Sequence, residues 1–245
     1  MKRLVLFDID ETMISSDGAG RRAIARVLNQ HYGVPEEAMH ITMSGKTDPQ
    51  ILREIFQACG KEGKFDTCTE HIFELYLGVL EDEIQKSRYY IIHEGVVELL
   101  EALVEEEHAY LGLLTGNIER GAQMKLHRFD LLRYFPIGAF GSDSANRLDL
   151  PAIACERAAK HFNIKFQPHE VVIIGDAIND ILCAKGYGAI SIAVNTGHTT
   201  WQELEAQNPD YLFKSLKDTV QVIDAIFAEP PHHAGKPNEN QAPVS

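Results

Sequence analysis

An α/β fold, with a parallel sheet between helical layers and a helical insert after its first strand, is what this sequence predicts, on three observations. Short continuous apolar runs recur along the chain. Helical patterns separate the later runs. Residues 19–90 break that alternation with helical patterns and no convincing strand. Continuous runs suit strands buried on both faces, and strands alternating with helices make a parallel sheet.

The first run, "KRLVLFDID" (2–10), holds Leu4, Val5, Leu6 and Phe7 without alternation. "AYLGLLTG" (109–116), "IGAFGS" (137–142), "EVVIIGD" (170–176) and "AISIAVN" (189–195) repeat the pattern, with helical spacing over 118–129, 151–162 and 177–185. Within the insert, Ala23, Ile24, Val27 and Leu28 share one helical face. Thr47 is a natural N-cap, followed by Pro49 and a stripe of Ile51, Leu52, Ile55 and Phe56. A third stripe runs from Ile72 through Tyr76 and Leu80 to Ile84; such stripes are read as packing. The expected division is a core of residues 1–16 and 91–228, a helical cap over 17–90, and a disordered tail over 229–245, where four prolines and one branched aliphatic residue leave too little to bury.

A net charge of -13 argues against nucleic acid or an anionic membrane as partner, and no apolar run approaches a membrane span. Acidic residues by position 8 come too early for a secretory leader. Cys59, Cys68, Cys155 and Cys183 show no zinc-like spacing and suit a reducing cytoplasm, where this chain is expected; the eleven histidines form no ligand set. The oligomeric state is not legible.

Three apolar runs end in chemically pointed residues, and in parallel sheets ligands bind at the carboxyl ends of the strands. Asp8 and Asp10 point the same way in an extended segment. Such a pair serves metal binding, a nucleophile with an acid/base partner, or a shared proton. Thr115 offers a hydroxyl, with the Gly116 and Asn117 amides behind it. Asp176 ends another run, with Asp180 one helical turn on and Asn179 beside it. An all-oxygen donor set favours a hard cation, and Mg²⁺ fits better than zinc. Hydroxyl, amides, Mg²⁺ and a cationic side chain together are what a transferring phosphoryl group requires.

In "DIDET" (8–12), "LLTGN" (113–117), a basic residue near 147 and "GDAIND" (175–180), the chain resembles the haloacid dehalogenase superfamily, specifically its phosphatases with a helical cap after the first strand. The resemblance spans residues 1–227 and implies a three-layer Rossmann-like core. It implies Asp8 as the nucleophile forming an aspartyl-phosphate, and Asp10 as acid and then base. Mg²⁺ would be held by Asp8, the Asp10 backbone carbonyl and Asp176, with Asp180 and Asn179 ordering its waters. Thr115, Gly116 and Asn117 would bind phosphoryl oxygens. An acid at position 10 favours phosphate esters over the dehalogenase branch.

Two departures stand out. Glu11 replaces the usual glycine after the second aspartate. The basic residue, usually lysine, is Arg147 or Lys160; Arg147 lies just ahead of a helix at the strand ends and is preferred, the alternative for it being a loop pairing with Asp143 or Asp149. In "MSGKTD" (43–48), a small polar turn precedes a helix N-terminus, and Lys46 is the candidate for a second anionic group of the substrate. Arg21 and Arg22 are weaker candidates. The reading is a phosphatase of a small anionic phosphorylated metabolite, resembling a phosphoglycolate phosphatase. The alternative is a sugar phosphomutase of the beta-phosphoglucomutase type; a signalling receiver module fits poorly, being about half this length and lacking the insert.

Overall fold

A computed structural model describes residues 1–229, the side chains of Lys64 and Asp66 excepted. The strands are β1 (Arg3–Phe7), β2 (Ile14–Ser15), β3 (Ile91–Ile92), β4 (Ala109–Leu114), β5 (Ile137–Ala139), β6 (Val171–Gly175), β7 (Ile190–Val194) and β8 (Tyr211–Phe213). The helices are α1 (Ala19–Tyr32), α2 (Asp48–Ala58), α3 (Glu62–Lys86), α4 (Val96–Glu105), α5 (Glu119–His127), α6 (Leu150–Phe162), α7 (Ile178–Tyr187), α8 (Trp201–Ala206) and α9 (Thr219–Phe227).

Six strands form one sheet in the order β5-β4-β1-β6-β7-β8, every neighbouring pair parallel. β1 lies inside it, with Leu4 to Phe7 paired to β4 on one side and β6 on the other. That position explains its unbroken apolar run. Val5 and Phe7 face one hydrophobic cluster while Leu4 and Leu6 face another, the period of two expected of a strand. The first cluster holds Leu99 and Leu103 of α4, Leu126 of α5 and Val222 and Ile226 of α9, and continues into the insert through Leu28, Ile55 and Leu80. The second holds Ala154 and Ala158 of α6 with Cys183 and Ala184 of α7. The result is three layers.

The insert consists of α1, α2 and α3, entered and left through an antiparallel ribbon of β2 and β3, Ile14 opposite Ile92. Sequence patterning missed this ribbon because two-residue strands carry no periodicity. It also extended β1 too far: the strand ends at Phe7, and the chain turns so that Met13 and Ile14 donate back to the Ile9 carbonyl. No two of the four cysteines are bridged, and Cys155 and Cys183 are buried. Among the described residues no helix is long and apolar enough to cross a membrane. The expected tail lies outside the described residues from position 230 on.

Candidate active site

The carboxyl ends of β1, β4 and β6 meet the N-termini of α2 and α7 around a cavity of about 180 Å³. The sheet side of its wall carries Asp8, Thr115, Arg147 and Asp176; the insert side carries Asp48 and Tyr76.

Asp8, Asp176 and Asp180 each bring a carboxylate oxygen within 4.8 Å of the others, all three buried. Thr12 donates its hydroxyl to Asp176 at 3.1 Å. Asp180 accepts from the Ala177 amide at 3.0 Å, capping α7. Arg147, 5% exposed, donates to Asp8 at 3.1 Å and also to Asp180. Burial works against its charge, but Asp180 and Asp8 more than offset it and hold the guanidinium protonated. Its Nε–H is buried without a partner. Lys160 instead pairs with Glu156 at the surface, and Asp143 pairs with Arg157, so the loop pairing with Asp143 does not form. Asp149 accepts from Ser144 and Asn146.

Burial, with repulsion from Asp180 and Asp10, pushes Asp8 up to about 7 despite Arg147. Burial and the same like-charge crowding drive Asp176 well above the carboxylate range. Three buried carboxyls against one guanidinium leave negative charge uncompensated, and all donors are oxygens. The residues therefore fit a hard divalent cation.

Asp10 lies in different surroundings. Its carboxylate accepts from Lys125 at 2.6 Å, Asn117 at 2.7 Å and Ser16 at 3.0 Å. Burial pushes its proton affinity up, but Lys125 and these hydrogen bonds outweigh it and hold the group below its ordinary range. The carboxylate is thus engaged by Lys125, Asn117 and Ser16 and is not among the three clustered carboxyls. Asn117 also donates to Thr115 Oγ1 at 2.9 Å and accepts from Lys125 at 2.6 Å.

The "MSGKTD" turn packs onto this site. A Cβ at Gly116 would lie 2.0 Å from the Lys46 carbonyl oxygen, so only glycine lets the two loops touch. Gly45, at φ 67°, likewise sits where a Cβ would meet Asn179 and Ala177. The side chain of Asn179 is therefore occupied by the insert, reaching the Ser44 carbonyl at 3.5 Å. Thr47 caps α2 through the Gln50 amide and donates to the Ala145 carbonyl at 2.7 Å. Asp48 donates its amide to Gly116 and accepts from the Ile118 amide, both across the insert–core boundary. Lys46 pairs with Glu54 at 2.5 Å. Arg21 donates to the Met39 and Ile41 carbonyls, and Arg22 pairs with Glu83 away from the cavity.

Glu11 adopts φ 60°, the left-handed conformation glycine would take freely. It is held there by Ser15, which donates to its carboxylate at 3.0 Å, by His93 3.5 Å away, and by Thr196, which donates to its carbonyl.

Sequence reasoning missed Lys125, Asp48 and Tyr76. The signal for Lys125 was present: Gly121, Ala122, Lys125 and Leu126 form the buried stripe of α5, an unusual place for a lysine. Tyr76 was indistinguishable from its packing neighbours, because its hydroxyl matters only once α3 is placed over the sheet.

Fold and site together define an α/β enzyme that gathers buried carboxyls, an arginine and a threonine at the strand ends. Residues 5–194 match the model of the haloacid dehalogenase-like hydrolase family, and the chain belongs to that family. It is 25% identical over 229 residues to a phosphoglycolate phosphatase of Mannheimia succiniciproducens, covering 90% of this chain and 98% of the relative. A solved hydrolase from Pseudomonas syringae superposes with a TM-score of 0.71 at 22% identity, covering 93% of this chain and all of that one. A candidate beta-phosphoglucomutase of Thermotoga maritima does so with 0.58 at 20% identity, covering 91% and 98%.

Proposed function

We propose that the protein is a Mg²⁺-dependent phosphatase of a small phosphomonoester, working through an aspartyl-phosphate on Asp8 and close in chemistry to phosphoglycolate phosphatases. The observation that carries this reading is the split of one "DID" motif. Asp8 joins a cation-hungry carboxyl cluster with Arg147, and Asp10 joins a charge-balanced network facing the same cavity.

Asp8 attacks phosphorus, forming the acyl-phosphate bond as the ester P–O bond breaks. Asp10 gives its proton to the departing alkoxide, then takes one from the water that hydrolyses the intermediate. Lys125 holds Asp10 ionised in the substrate-free protein, and the incoming phosphoryl charge raises its affinity for the proton it must donate. Arg147 and the Thr115 hydroxyl, with the Gly116 and Asn117 amides, bind phosphoryl oxygens. Mg²⁺ would be held by Asp8, the Asp10 carbonyl and Asp176, with Asp180 beside it, and would neutralise phosphoryl charge; Asn179, expected to help order its waters, is engaged by the insert instead. The helical insert acts as a cap over residues 17–90, excluding bulk water. Lys46 reaches a second anionic group by exchanging Glu54 for it.

The cavity of about 180 Å³ is below the ~300–1,000 Å³ of drug-sized pockets. That supports a short ester over a hexose phosphate, and so hydrolysis over the mutase alternative. A panel of phosphometabolites, run with Mg²⁺ and with EDTA, tests the reading. Expected is release of phosphate from short esters, lost with EDTA. EDTA-insensitive turnover contradicts metal dependence, and isomerisation of beta-glucose 1-phosphate without phosphate release contradicts the hydrolase.

A further inference from the structure

The insert side of the cavity carries a polar group that the chemistry above does not use. Tyr76 is 1% exposed, lines the cavity, and its hydroxyl is buried without a hydrogen-bond partner. An unpaired buried hydroxyl is costly, and phenylalanine would have packed against Ile72 and Leu80 equally well. Lys125, 4% exposed, spends two of its three N–H groups on Asp10 and Asn117. The Lys125 ammonium and the Tyr76 hydroxyl converge at Gly20: a Cβ there would lie 3.2 Å from Lys125 Nζ and 3.5 Å from the Tyr76 hydroxyl. Asp48 faces the same space, and its charge is the first to act on Tyr76 after burial.

We infer that Tyr76, Lys125 and Asp48 form a subsite, kept open by Gly20, that recognises an uncharged hydroxyl on the alcohol half of the ester. The inference rests on the phosphatase reading of the site. A hydroxyl can accept from Lys125 or Tyr76 and donate to Asp48, satisfying donors and acceptor together. A substrate carboxylate in the same place would have no proton for Asp48 and would face the charges of Asp48 and Asp10.

The test compares 2-hydroxyethyl phosphate and propyl phosphate as substrates of the wild-type protein, Tyr76→Phe and Gly20→Ala, each with Mg²⁺. The expected wild-type order of kcat/KM is hydroxyethyl over propyl. Tyr76→Phe should cut the hydroxyethyl-to-propyl ratio about five- to tenfold. Gly20→Ala, which keeps the Tyr76 hydroxyl but sets a methyl against it and Lys125, should lower that ratio as well. An unchanged ratio in both variants, or a wild-type protein that does not favour hydroxyethyl over propyl phosphate, overturns the subsite. Calorimetric titration of Asp8→Asn with the same esters keeps the two readings apart. Hydroxyl-selective binding without wild-type turnover sinks the phosphatase reading and keeps the subsite. Turnover without selectivity does the reverse.

Discussion

Asp8 and Asp10 are two residues apart, yet the fold treats them oppositely. Asp8 sits with Asp176 and Asp180 around a single arginine, and burial among like charges raises it to about 7. Asp10, whose side chain is a third exposed, is lowered by Lys125, Asn117 and Ser16. Deeper burial among carboxyls raises the one, and the partners that α5 and the end of β4 bring in lower the other. One half of the motif sits in a carboxyl cluster that could hold a cation, and the other is paired with Lys125.

The largest expected effect breaks the first half. Asp8→Asn should reduce turnover by at least ~10³-fold while circular dichroism shows the fold intact; substantial remaining activity removes Asp8 as nucleophile. Asp10→Asn should cost ~10²–10⁴-fold on alkyl phosphates, and much less in the phosphorylation step of an aryl phosphate whose leaving group needs no proton. Equal losses on both argue against an acid role.

Mg²⁺ sharpens the contrast through stability. With Asp8 raised above an unfolded carboxylate, its stabilising share is present at acid pH and lost as pH rises through about 7. Mg²⁺ at a hundredfold excess over Kd should therefore raise the melting temperature at pH 8 by the equivalent of about 3 kcal/mol, and the same Mg²⁺ concentration should raise it less at pH 5.5. An equal rise at both values points to binding elsewhere.

Asp48 is raised to about 6, by burial first and against the pull of Lys125 and the Ile118 amide. Its contribution is likewise present below the ordinary carboxylate range and lost as pH climbs through about 6. Asp48→Asn keeps the acceptor for Ile118, so denaturation should show a gain on the order of 2 kcal/mol at pH 8 and none at pH 4. A loss at pH 8 would mean that the charge itself holds the insert to the core. The smallest effect belongs to Lys46. Because Glu54 already occupies it, Lys46→Ala should raise KM for a carboxylated phosphate by about threefold at most, and less for an uncharged one.

Much of this was legible because the sheet states itself locally. Leu4 to Phe7 had to be a strand inside the sheet, and the strand-end residues Asp8, Thr115 and Asp176 follow from that. Arg147 could be chosen over Lys160 because a residue just ahead of a helix at the strand ends is aimed at the site, whereas one well inside the helix is free to face solvent. Lys125 and Tyr76 were not legible in the same way. They lie mid-helix, on stripes whose spacing says only that they are buried, and what they face depends on how α3 and α5 cross the sheet. Glu11 was visible as an oddity, but its left-handed backbone and its contacts with Ser15, His93 and Thr196 come from segments far apart in the chain.

The central claim is that the two halves of "DID" divide the labour, Asp8 carrying the phosphoryl group and Asp10 moving the proton. Mass spectrometry of acid-quenched Asp10→Asn, after brief exposure to an aryl phosphate with Mg²⁺, tests it most directly. The expected result is one phosphoryl group on the peptide containing residues 5–18, localised to Asp8 and absent when Asp8→Asn is added. A phosphoryl group on any other residue, or turnover of the aryl ester with none trapped, would contradict it.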